Sequence, residues 1–185
     1  MIYSLSLETD LLLVGSLLLV GHAAALLKAP ALQTALRAFP RSPAAGFVLF
    51  TAAAVWFTGL VAFTDLGEFS SMRPKFLLFT VLGTVLTLRF VREFLAVRAL
   101  GMLLLLVAEP LLESAWMRPE VSRLWLVGLA YAWIVAGLFF IGMPYLLRDA
   151  VAWLTATPLR WRAAALAGAA YGILLLGVRA TLATL

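Results

Sequence analysis

Two carboxylates, Glu109 and Glu113, are the side chains whose type and spacing point most directly to chemistry. They lie in an otherwise apolar run, residues 99–117, that predicts a membrane-spanning helix. A charged group at the centre of such a helix costs about 2.5–3.5 kcal/mol, so two of them call for compensation. Their spacing of four puts both on one helix face, and Pro110 between them frees a backbone carbonyl one turn earlier. Carboxylates so placed can bind a cation, exchange a proton, or meet a cation or donor on a partner. Arg92 and Arg98 are the nearest cations on one side in sequence, and Arg118 can snorkel back toward Glu113 from the other. Glu113 therefore reads as an interfacial ion pair. Glu109, near mid-membrane, reads as the acid that something specific must answer.

The single histidine, His22, falls in the first apolar run beside Gly21. An imidazole there can ligate a metal or pigment, carry a proton, or hydrogen-bond a neighbouring helix. No cysteine and no second histidine exist to complete a ligand set, which favours the structural reading and predicts no cofactor and no metal. Thr80, Thr84 and Thr87 share one face of the third run. They either line a polar path or bond back to their own helix, and the second is the commoner behaviour. Ala164, Gly168 and Gly172 form a small-residue ridge on the last run, the pattern of close helix packing.

Enzyme chemistry finds little support. There is no G-x-S-x-G elbow, H-E-x-x-H pair or glycine-rich phosphate loop. The absence of cysteine removes disulfides, iron–sulfur ligation and thiol catalysis. The basic residues are spread over several turns rather than gathered in a stripe, so nucleic acid is not an expected partner.

The elements that must position these groups follow from composition. With 64% hydrophobic and 12% charged residues, the chain is far more apolar than a water-soluble domain of its 185 residues. The expected fold is all-α: one polytopic membrane domain of six transmembrane helices at about 11–27, 44–63, 76–91, 99–117, 124–147 and 163–178. The third and fourth spans are joined through Arg89, Arg92, Glu93 and Arg98 with no Pro or Gly, and a tight interfacial hairpin is expected there.

Orientation follows from Lys and Arg asymmetry. Lys28, Arg37, Arg41, Arg89, Arg92, Arg98, Arg148, Arg160 and Arg162 fall on one side, against Arg73, Lys75, Arg118, Arg123 and Arg179 on the other. The richer side is the cytoplasmic one, which puts both termini outside and points to a bacterial inner membrane. The residues before Leu11 include Glu8 and Asp10 and no cation, so the first run is expected to be a retained span rather than a signal peptide. Residues 29–39 and 149–157 read as short interfacial helices on the cytoplasmic side, with Trp153, Leu154 and Trp161 at the headgroups. Trp116 and Trp125 bracket the opposite boundary.

The expected function is that of a non-catalytic subunit of a larger membrane assembly, in contact with lipid and with other subunits or copies of itself. The alternative is a small proton- or cation-coupled carrier or channel using Glu109 and Glu113.

Overall fold

The computed structural model describes residues 5–91 and 93–182, and candidate charge partner Arg92 lies outside the described residues. The described chain is all-helical, without strands. Eight α-helices run α1 Leu7–Leu27, α2 Ala29–Ala38, α3 Pro43–Phe63, α4 Arg73–Phe90, α5 Leu95–Ser114, α6 Leu124–Gly142, α7 Tyr145–Leu154 and α8 Pro158–Leu182. Six of them (α1, α3, α4, α5, α6 and α8) are long and apolar enough to cross a membrane.

Local chemistry sets the boundaries. Ser6 caps α1, its Oγ accepting from Thr9 N at 3.2 Å, and Ser42 caps α3 by accepting from Ala45 N at 3.2 Å. Pro43, Pro74 and Pro158 stand in the first turns of α3, α4 and α8, where a missing N–H costs no helical bond. The fifth span stops at Gly142 rather than continuing to residue 147. Pro144 disfavours helical backbone at Met143, which adopts φ −129° and ψ 68°. The freed segment re-forms as α7, four residues earlier than the short helix expected at 149–157. The fourth span ends at Ser114 rather than near 117, where Met117 turns the chain with φ +53°. The unmarked hairpin before it is made by Phe94 at φ +54°, a left-handed turn built without glycine.

Packing is uneven. α1 lies along α8, α5 along α6, and α3 packs on α5 and carries α4. One apolar core joins Leu7, Leu11 and Val14 of α1 to Ala108 and Leu111 of α5, Leu126 and Ala130 of α6, and Leu175 of α8. A smaller one holds Phe50, Leu95 and Ala99 between α3 and α5. α4 contributes no buried residue.

Two helix pairs meet at glycine. A Cβ on Gly101 would lie 2.7 Å from the Gly137 carbonyl oxygen, and one on Gly137 2.8 Å from that of Gly101. Along the other pair, a Cβ on Gly172 would stand 2.7 Å from Leu19 N and 2.8 Å from Gly15 O. Only bare backbone allows these approaches.

Candidate functional site

The two glutamates share a side of α5, but only Glu109 is turned away from its packed face. Ala108, Pro110, Leu111, Ser114 and Ala115 are buried, whereas Glu109 is exposed on the surface of the chain and Glu113 is half-buried. Sharing a face is what the spacing of four dictates, but the protein does not bury Glu109. Nor does it stand at mid-helix. With α5 ending at Ser114, Glu109 lies about 7–8 Å from the helix end at 1.5 Å per residue.

Among the described residues Glu113 forms no ion pair with Arg98 or Arg118. Glu113 Oε2 is buried without a hydrogen-bond partner, Arg98 Nε is likewise unpaired, and Arg118 is exposed. The nearby cation that does act locally is Arg123, which donates Nη1–H to the Ala115 carbonyl at 2.6 Å and ties the α5–α6 connection. Arg73 plays the same part in the other connection at this end, donating to Thr64 O at 2.8 Å.

The acid that the fold does bury is Asp10, 1% exposed, in the first turns of α1. Ser114 of α5 is its polar neighbour, and Asp10 Oδ2 has no partner. No Lys, Arg or His among the described residues forms an ion pair with it. Asp10 stands in the wall of a cavity of ≈ 440 Å³ between α1, α3, α5 and α6. Sequence reasoning missed this residue, because an acid near a helix N-terminus is ordinarily a boundary feature that complements the helix dipole. The signal that could have found it is Ser114, a polar residue on the otherwise apolar packed face of α5.

His22 and the small-residue ridge meet. The imidazole lies over Gly168, where any Cβ would overlap Nε2, Cδ2 and Cε1 of the ring. Its Nδ1 hydrogen-bonds Leu18 O at 2.7 Å, within its own helix rather than to a neighbouring one as expected. Ala164 of the same ridge lines a small cavity with His22 and Trp161. Trp161 faces the protein interior: it is 4% exposed and donates Nε1–H to Ala25 O at 2.9 Å, locking the start of α8 to the end of α1. Trp153 is exposed, with the Arg160 guanidinium 4.5 Å above its ring. Arg37 of α2 donates Nε–H to Thr155 Oγ1 and Nη2–H to Thr155 O, each at 2.8 Å, joining α2 to the α7–α8 turn. On α7, Asp149 accepts from Arg148 Nε at 2.8 Å, and that bond raises the arginine above its usual value.

The threonines of α4 face a groove of ≈ 620 Å³ between α3, α4 and α5. Thr80 donates to Phe76 O at 2.8 Å and Thr84 to Thr80 O at 2.7 Å, so these two hydroxyls are spent on their own helix. The remaining wall is apolar, with Phe50, Phe57, Phe79 and Met102 prominent. The described residues include no cluster of three His, Asp or Glu side chains able to hold a metal ion.

The chain matches no protein-family model, no curated protein and no solved structure.

Proposed function

We propose that the protein is a non-catalytic subunit of a larger membrane assembly, with its six long helices spanning the bilayer and both termini outside. The observation that carries this reading is α4. It buries none of its residues, packs chiefly on α3, and turns Thr80, Gly83, Thr84 and Thr87 toward an unfilled groove. Helices in lipid gain no hydrophobic energy by associating, so a span is held by close packing and interhelical bonds. α4 has little of either within this chain, and a partner helix seated along it would supply both. α2 and α7 would then lie at the cytoplasmic headgroups, with Arg148 and Arg160 toward anionic lipid.

The test is site-directed photocrosslinking in native membranes from Phe79 and Val81, exposed positions on α4. Adducts to a second membrane protein or a second copy are expected there, and none from Leu17 on α1, also exposed. Adducts to lipid alone from the α4 positions, together with a monodisperse monomer in mild detergent, would refute the proposal.

A second reading, proton or cation handling on α5, draws on the unpaired Glu113 Oε2. It requires proton-coupled or cation flux in proteoliposomes that Glu109→Gln and Glu113→Gln reduce. Equal flux in these variants and the wild type removes it.

A further inference from the structure

We propose that the cavity beside Asp10 is a binding site for a lipophilic organic cation, an ammonium or phosphonium group bearing apolar arms. The inference is independent of the subunit reading and uses residues that it does not.

The reasoning starts from an unanswered charge. A carboxylate withdrawn from water is stable only when paired and hydrogen-bonded. Asp10 is 1% exposed, Oδ2 has no partner, and the polar side chain beside it is Ser114. Ser114 Oγ donates to Leu111 O at 3.1 Å, so its one proton is spent within α5. The protein leaves room for the missing partner: the ≈ 440 Å³ cavity is lined by Asp10 with Leu13, Trp56, Val107, Pro110 and Trp133. That volume lies in the ordinary range for small-molecule sites.

The walls select the ligand. A hard inorganic cation needs several oxygen ligands to replace its water, and the cavity offers little beyond Asp10 and the neighbouring Ser114. Two indoles and aliphatic side chains instead suit a weakly hydrated cation whose charge meets the carboxylate, whose arms meet the wall and whose centre can sit over an aromatic face. Position agrees with this. The cavity lies among helices apolar enough to cross a membrane, where such amphiphiles concentrate.

The test is equilibrium dialysis of radiolabelled tetraphenylphosphonium against the full chain in detergent, with tryptophan fluorescence as a second readout. One saturable site per chain is expected. Its affinity should fall by about tenfold or more in Asp10→Asn, because a buried charge pair is lost. Glu8→Gln, altering an exposed acid on the same helix, should bind as the wild type does. If Asp10→Asn fails to fold, Leu13→Trp decides: Leu13 is 54% exposed, and the larger ring fills the cavity while leaving the carboxylate in place. Loss of binding in that variant supports the site, and retention overturns it. The proposal is equally overturned by equal affinity in a folded Asp10→Asn. Absence of saturable binding to the wild type from mildly acidic to mildly alkaline pH also overturns it, since a proton would then be the occupant of this carboxyl.

Discussion

Replacing Gly101 by alanine adds one methyl group where α5 and α6 are closest. The ideal Cβ would stand 2.7 Å from the Gly137 carbonyl oxygen, 3.0 Å from Ile141 Cγ1 and 3.1 Å from Phe140 Cβ. Close carbon–oxygen contacts settle at about 3.3–3.6 Å, so the methyl overlaps the carbonyl by ~0.6–0.9 Å. The obstacle is backbone on a rigid helix, with no rotamer to swing aside, and the helices must separate. Separation also loosens the neighbouring contact of Gly137 with Leu105. Overpacking of this kind costs about 1–3 kcal/mol. Alanine's better helix propensity returns up to about 1 kcal/mol, and a control must carry the same gain. Gly128 on α6 supplies it, since a Cβ there meets nothing within 4 Å.

The assay is reversible unfolding of the full chain by SDS titration from mixed micelles, followed by far-ultraviolet circular dichroism. Gly101→Ala should unfold at a lower SDS fraction than Gly128→Ala, by the equivalent of about 1–3 kcal/mol. Because Gly101 and Gly137 share one contact, adding Gly137→Ala to Gly101→Ala should cost less than it does alone. Coincident unfolding curves for Gly101→Ala and Gly128→Ala would refute the close approach and, with it, the pairing of α5 with α6.

Other outcomes follow from named contacts. Gly168→Ala should destabilise by forcing the His22 ring off its seat, and His22→Ala in the same chain should restore much of the loss, read as thermal unfolding in detergent. Trp161→Phe should lower stability by about 0.5–1.5 kcal/mol through loss of the bond to Ala25 O. Arg37→Ala should raise proteolytic nicking in the turn between α7 and α8, because both bonds to Thr155 are lost while the long helices keep their own contacts. The chain has no cysteine, so single cysteines at Ser42 and Ser122 report orientation without background. An impermeant thiol reagent applied to intact cells should label Ser122→Cys and spare Ser42→Cys, and the reverse pattern would invert the proposed topology.

Six long helices were legible because apolar runs of roughly twenty residues separated by charge are a coarse signal that single residues do not disturb. Some boundaries were legible as well: the span expected at 44–63 is α3, Pro43–Phe63. Others were lost where the cause was a backbone conformation without a sequence marker. Phe94 and Met117 take left-handed backbone that glycine or asparagine would have announced. Pro144 lies inside the run expected to reach residue 147, and there it acts as a stop followed by the new helix α7. Gly101 and Gly137 lie on helices distant in sequence order from the last-span ridge and show no repeated spacing, so their encounter emerged only from the pairing of α5 with α6.

The candidate site was less legible, and α5 shows why. A spacing of four fixes which residues share a face but not which way that face points. In water the apolar face turns inward, and a polar residue in an apolar helix then stands out against the core. In lipid every face is apolar, and the side that packs is the one whose side chains are small. On α5 those include Ala96, Ala99, Gly101, Ala108 and Ser114, all buried, as is Ala115 just past its end. Their common direction leaves Glu109 on the far side of the helix. Reading size in place of polarity would have turned Glu109 outward and pointed Ser114 inward, toward whatever polar group another helix had to bury. That group is Asp10, and the distance between the two in sequence hid it from any argument confined to one helix.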